Sequence, residues 1–380
     1  MWTKGSHHSK KDNKRALKKM KSFDLTKQYK LFKKDINKKI LEVLSSGSYI
    51  LGRNVKSFEN NVCKYLNTKY TVSCNSGTDA LVMSLRALNI GKDDQVITTP
   101  FTYFATSEAI SLVGAQPVFA DINPHTFNIN PKRIEKLITN KTRAILSVNL
   151  FGQACELDKI SQIAKMYDLS HIEDCAQSFG TTYKTKQTGT YGNIGCFSFF
   201  PTKNLGCFGD GGLIVAKNKK TYESLLKLRT HGGIKRNQHD MIGYNSRLDE
   251  IQAAILDIKL KYIDKLIKQR IGVAGAYYKL IKNEKIRLPY KDINGKHSFN
   301  QFTIRVKNRY KMEKHLIKHK IPYGIYYSKP IYKYKAYSAY SHTNLPMVEK
   351  VCNECLSLPI YPELELKDIR IISRVLNDYE

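Results

Sequence analysis

The chain has 380 residues, with 63 lysines and arginines against 33 aspartates and glutamates, for a formal net charge of +30. Its length suits two domains, one large and one small, and 42% hydrophobic content supports an ordinary globular core. No run of 18 apolar residues occurs, which excludes a membrane-spanning helix, and no apolar signal core follows the basic start, so a cytoplasmic location is expected. Eight cysteines lie scattered, several inside expected strands, as buried small hydrophobes do in a reducing compartment.

A charge of this size suits nucleic acid or an anionic surface. Here, however, lysine is spread along the whole chain, as in a biased genomic composition, and the balance equally suits a substrate carrying phosphates. Residues 1–22 are distinct: they hold eight basic residues, one acid and no apolar periodicity. They read as a disordered basic tail or a tag outside the fold.

From residue 23 to 56 the apolar spacing predicts an amphipathic helix and a turn, followed by a second helix over 55–66. From Tyr70 short apolar strands alternate with helices. Strands are expected at 70–74, 95–99, 116–120, 143–149, 169–173, 195–200 and 213–216, with helices at 80–88, up to 113, 156–167 and 221–229. Such alternation implies a seven-stranded, mostly parallel sheet covered on both faces, with ligands at the carboxyl ends of the strands. One long helix is expected over 247–266. Beyond it the βα units stop. A strand at 299–306, a helix at 310–319, a last strand at 356–360 and a helix at 366–376 suggest a smaller α+β domain. The expected division is a large domain over 23–265 and a small one over 266–380.

The stretch FSFFPTKNLGCFGDGG, residues 197–212, is the centre of the pattern. Pro201 ends an apolar strand, four glycines permit tight turns, and Lys203 is its one cation. A lysine held in an apolar pocket loses pKa and becomes a Schiff-base nucleophile. A phosphate-binding or merely exposed turn lysine is the alternative. Three further features stand at strand ends. Ser76-Gly77-Thr78 opens a helix directly after a strand, as phosphate sites do, though Ser76 or Thr78 also reads as a plain N-cap. Asp174 ends a buried strand and faces either a cationic ring nitrogen or a helix start. Tyr103 follows another strand and reads as a stacking ring or as core. Together with Ser198, five residues before Lys203, these are the groups that pyridoxal 5'-phosphate needs: a phosphate cradle, a ring acid, a stacking aromatic and a recessed lysine.

At this point the chain resembles the DegT/DnrJ/EryC1/StrS sugar aminotransferases, which have the aspartate aminotransferase fold (fold type I). The resemblance is carried by SCNSGTDAL (73–81), TPFTYFAT (99–106), HIEDCAQSFG (171–180), the 197–212 stretch, GYNSRLDEIQAA (243–254) and LSLPIYPEL (356–364). It implies that Lys203 is the Schiff-base lysine, that Asp174 pairs with the pyridine nitrogen and that Gln177 contacts the ring hydroxyl. It places Ser76, Gly77, Thr78 and Ser198 around the phosphate and Tyr103 on the ring. Asn245 resembles the residue that reaches the cofactor of a neighbouring subunit, which implies a homodimer with shared sites. Arg247, Tyr326, Tyr327 and Lys329 fall where substrate would lie.

The openings FDLTKQY (23–29) and SGSYILG (46–52) resemble the branch acting on nucleotide-linked 3-keto sugars, with L-glutamate as the usual donor, in surface glycan biosynthesis. A 3-keto-6-deoxyhexose is the expected substrate; a 4-keto-6-deoxy sugar or a 3-keto uronic acid is the alternative. Some relatives that act on the uronic acid carry His-Tyr where this chain has Tyr326-Tyr327. Family members that act as dehydratases carry histidine at the lysine position, and Lys203 argues against that chemistry. A non-catalytic regulator that binds nucleic acid is the reading from another class; the intact lysine, acid and phosphate site weigh against it, so no nucleic-acid partner is expected. Cys352 and Cys355 form a C-x-x-C with no second pair nearby, and read as buried thiols rather than a zinc site. His315 and His319 stand among lysines on a solvated helix face, and no metal is expected.

Overall fold

Strand alternation and helix caps place most of the elements. The computed structural model describes residues 20–235, 237–291, 293–340 and 343–380. The basic segment expected at 1–22 lies almost wholly outside the described residues. Helix α1 (Leu25–Ser46) begins at Asp24, whose carboxylate accepts from Thr26 N, and ends at Gly47 in the left-handed region, φ 63°. Helix α2 (Arg53–Leu66) lacks a cap of its own. Buried Glu250 supplies one by accepting from Asn54 N and Val55 N, both at 2.9 Å.

The large sheet then builds in βα units: β1 (Tyr70–Cys74), α3 (Gly77–Ala87), β2 (Gln95–Thr98), α4 (Ala105–Leu112), β3 (Gln116–Phe119), β4 (Thr142–Val148), α5 (Leu157–Met166) and β5 (Ser170–Asp174). A small hairpin, β6 (Thr182–Tyr183) and β7 (Lys186–Gln187), interrupts the series. It is completed by β8 (Ile194–Ser198), β9 (Gly212–Ala216) and α6 (Lys219–Leu228). The seven strands lie in the order β1-β9-β8-β5-β4-β2-β3. All are parallel except β9, which runs antiparallel to both its neighbours. The Lys203 loop is a return connection between two adjacent antiparallel strands and needs no crossover helix.

Residue parity assigns the two faces. Cys196 and Ile214 pack with Ala80 and Met83 of α3, while Phe197, Leu213 and Val215 pack with Phe58 of α2 and with Ala253 and Leu256. The single helix expected over 247–266 is instead two, α7 (Glu250–Leu260) and α8 (Ile263–Leu280), and Arg247 precedes the first. No proline or glycine marks the break at Lys261-Tyr262, so the apolar period runs through it. There the Tyr262 ring packs on Phe32 of α1, with centroids 5.0 Å apart.

Helix α8 runs from one core into the next: Ile263 and Ile267 pack with the large sheet, Val273 and Tyr277 with the C-terminal core. The boundary expected at 265/266 therefore falls inside a continuous helix. Beyond it come β10 (Ile286–Arg287), β11 (Gly295–Lys296), β12 (Phe302–Val306), α9 (Arg309–Lys318), α10 (Pro346–Glu354), β13 (Cys355–Leu358) and α11 (Leu366–Asn377). Strands β10, β12 and β13 form an antiparallel sheet, and β11 joins the β6–β7 hairpin. Cys352 and Cys355 are buried. Among the described residues no helix is long and apolar enough to cross a membrane, and no cluster of side chains suits a metal ion.

Candidate active site

Strand parity selects the acid. In the run His171-Ile172-Glu173-Asp174, Ile172 packs towards α3 and α4, so Asp174 faces the same way. Glu173 turns to the other side, where it accepts from Gly189 N, Tyr191 N and Gly192 N and holds the loop leading into β8. Asp174 is 5% exposed. Its Oδ2 accepts from Thr106 Oγ1 at 2.9 Å and its Oδ1 from Ala176 N at 3.0 Å. Desolvation raises its pKa; those two hydrogen bonds and the charge of Lys203 hold it down.

Lys203 sits on the turn between β8 and β9. Its amide donates to Phe200 O at 2.9 Å, and Cys207 N donates to Phe199 O at 2.8 Å, closing the turn at its base. The side chain is half-buried. Desolvation by the surrounding protein pulls its amine down to about 8, against the opposing effect of Asp174. The lysine and the carboxylate therefore act on each other across one site.

The phosphate cradle takes shape at the same strand ends. Ser198 shares the parity of Cys196 and so faces the start of α3. A Cβ on Gly77 would lie 2.6 Å from the Ser198 Cβ, and one on Gly212 would lie 2.2 Å from Ser76 O. Only glycine fits at either place. Ser76 is the N-cap of α3, its Oγ accepting from Asp79 N at 3.0 Å. The plain-cap reading therefore holds for this hydroxyl, while Gly77 and Thr78 occupy the first turn, where helix amides point outward.

Gln177 has its amide orientation set by its neighbours. Oε1 accepts from Phe151 N at 2.7 Å, which leaves Nε2 as the donor towards Tyr327 OH at 3.3 Å. Tyr327 is largely enclosed, and desolvation raises its hydroxyl pKa. Its ring meets Phe101 edge-on at 5.9 Å. Tyr326 (39%) and Tyr103 (64%) are exposed. Lys329 is exposed too, its ammonium 4.3 Å above the Tyr334 ring. Asn245 is exposed beside Ser246, whose Oγ donates to Asn75 Oδ1 at 3.0 Å, next to the cradle. Arg247 is half-buried, and its Nε is buried without a hydrogen-bond partner among the described residues.

Sequence reasoning missed Thr106 of α4, whose hydroxyl fixes Asp174, and Thr102 just before that helix, whose hydroxyl lies 2.9 Å from that of Thr106. The spacing of four between two threonines at a helix start was the available signal. It also missed Asn204, whose Nδ2 donates to Ser298 Oγ at 2.8 Å and to Phe179 O at 3.2 Å, fastening the residue beside Lys203 to the C-terminal part of the chain.

The DegT/DnrJ/EryC1/StrS aminotransferase family profile matches residues 30–376. The chain belongs to this family. It is 40% identical to the dTDP-3-amino-3,6-dideoxy-alpha-D-galactopyranose transaminase of Aneurinibacillus thermoaerophilus, over 92% of this chain and 96% of that one. It is 39% identical to the UDP-2-acetamido-2-deoxy-3-oxo-D-glucuronate aminotransferase of Pseudomonas aeruginosa, over 93% and 99%. Among solved structures, DesV of Streptomyces venezuelae, in complex with a ketimine intermediate, superposes with a TM-score of 0.91 at 35% identity, covering 94% of this chain and 97% of that one. The chain is a pyridoxal-phosphate-dependent transaminase with the α/β fold of that class. The residues present fit the cofactor: two glycines leave room at three strand ends, a buried acid is aimed and hydrogen-bonded, and a desolvated lysine stands opposite.

Proposed function

We propose that this aminotransferase converts a nucleotide-linked 3-keto-6-deoxyhexose to the 3-amino sugar with L-glutamate as donor, in the cytoplasm, for surface glycan biosynthesis. The observation that carries the reading is the pairing of buried Asp174 with desolvated Lys203 at one set of strand ends. The two relatives above differ in nucleotide and in the substituent at sugar C-5, yet both names place nitrogen or oxo at C-3. That shared feature supports C-3 over C-4.

Pyridoxal phosphate, when bound, supplies an aldehyde that carries the amino group and a ring that takes up electron density. The chain does the rest. Lys203 Nζ would be the covalent anchor and the base at the α carbon of glutamate; at pH 8 an amine lowered to about 8 is half neutral, where an ordinary lysine is almost wholly charged. Asp174 would keep a proton on the ring nitrogen, and Thr106 and Ala176 N hold its carboxylate in place for that task. Gln177 Nε2, which donates to Tyr327 OH, would donate to the ring hydroxyl. Gly77 and Thr78 in the first turn of α3, together with Ser198, would hold the phosphate, Ser76 would set that turn through its cap to Asp79 N, and Tyr103 would cover the ring.

The working unit in this reading is a homodimer in which Asn245 reaches the neighbouring subunit's phosphate. Apolar surface beside both groups supports it: Phe200, three residues before Lys203, is 49% exposed, and Ile242, three before Asn245, is 83% exposed. Arg247, Tyr326, Tyr327 and Lys329 line the substrate side, and the Arg247 Nε, without a partner among the described residues, suits an oxygen acceptor. A panel of dTDP- and UDP-linked 3-keto and 4-keto sugars, uronic acids included, incubated with glutamate and read by product mass and NMR, tests the assignment. Amination of 4-keto sugars alone, or of none, would remove it.

A further inference from the structure

Lys259 stands near the end of α7 and is 1% exposed, the one lysine among the described residues that is fully buried. A buried ammonium costs free energy unless it is paired and hydrogen-bonded. Here no carboxylate lies within ion-pair distance among the described residues. Its Nζ donates instead to the backbone carbonyl of Gly206 and lies 5.5 Å from the Phe208 ring centroid. Desolvation pulls the amine to about 8, with Cys207 and Glu363 opposing and Arg270 adding to the fall.

Gly206 closes the turn that Lys203 crowns. A Cβ there would lie 2.5 Å from Pro201 O, so the two ends of the turn touch through its backbone. Asn204 fastens the turn on one side of Lys203, through Ser298 and Phe179 O. The Gly206 carbonyl is the matching anchor on the other side, and its partner comes from a different element 53 residues away. A methionine would fill the same volume without the charge, so packing alone gives no reason for lysine at this place.

We propose that Lys259 is a positioning residue that holds the Lys203 turn, through the Gly206 carbonyl, in the geometry that brings the Lys203 amine to the cofactor. The inference rests on the reading of Lys203 as the covalent anchor. Misplacement of a reacting group by about 1 Å costs about a hundredfold in rate, so one anchor matters to chemistry more than to folding.

The test uses the full-length holoenzyme and two variants, Lys259→Met and Lys259→Gln, the second keeping a donor. Each is treated with borohydride, and the trapped cofactor is mapped to its peptide. Lys259→Met is expected to fold, to keep KM for glutamate within about threefold, and to lose about tenfold or more in both kcat and the rate of trapping at Lys203; Lys259→Gln recovers most of that loss. Equal loss in both variants, an unchanged Lys259→Met, or failure of either to fold would each overturn the proposal, the last because Lys259 would then serve stability alone. Wild-type cofactor trapped at a peptide other than that of Lys203 would instead overturn the reading on which the proposal rests.

Discussion

The Cβ that Gly77 lacks would sit 2.6 Å from the Cβ of Ser198. These residues are 121 positions apart and belong to a helix start and a strand end. Real Cβ atoms do not approach so closely, and both neighbours are backbone-anchored, so a side chain at 77 must open the cradle. Gly77→Ala is expected to raise the Kd for pyridoxal phosphate at least about tenfold, or about 1.4 kcal/mol. Ser198→Ala, which keeps the approach and removes one hydroxyl, should cost less. Fluorescence titration of the two apo-variants checks the order.

Lys203→Ala is expected to abolish turnover while the phosphate contacts still retain some cofactor. In the wild-type apo-protein the Lys203 amine titrates near 8, from an ordinary 10.5, through desolvation. Only the neutral amine condenses with an aldehyde. The rate at which borohydride traps the imine with a small aldehyde should therefore rise with pH with a midpoint near 8 and level off above about 9, and stopped-time trapping from pH 6 to 10 measures it. A midpoint near 10 would contradict a recessed amine.

Thr106→Val removes the donor to Asp174 Oδ2 and strands the Thr102 hydroxyl at the same time. A buried polar group left unpaired costs about 1–3 kcal/mol, readable as a lower urea midpoint. The Thr106 hydroxyl also lowers the Asp174 pKa, so its loss must raise it further. The acid limb of the kcat profile should move to higher pH, and kcat should fall about tenfold at neutral pH.

His171 is buried between Ser147 Oγ at 2.8 Å and Ser161 Oγ at 2.9 Å, and desolvation lowers it to about 3. Its folded pKa lies below the unfolded value of about 6.5. Above pH 6.5 both states are neutral and stability is complete. As pH falls from 6.5 towards 3 the unfolded state takes up the proton and stability is lost, at up to about 1.4 kcal/mol per pH unit. His171→Gln should flatten the fall of stability between pH 6.5 and 4, whatever its effect at pH 7. Denaturant titrations at four pH values give the slope.

The sequence by itself determined what repeats locally. Short continuous apolar runs marked the seven strands, because a strand covered on both faces buries its side chains in both directions. Pro201 and the following glycines marked the Lys203 turn, and the matching motifs marked the family. Cysteines at 352 and 355 read as buried thiols for the same local reason. Tertiary structure alone decided what depends on contacts between distant residues. It split 247–266 into α7 and α8 where Tyr262 meets Phe32, without any helix breaker in the sequence. It set β9 antiparallel between β1 and β8, and it aimed Asp174 rather than Glu173 at Lys203 by packing Ile172 against α3. Thr106, Asn204 and Lys259 came into view only then. Each acts through a partner 53 to 94 residues away, and a hydrogen bond across that distance leaves no periodic mark in the chain.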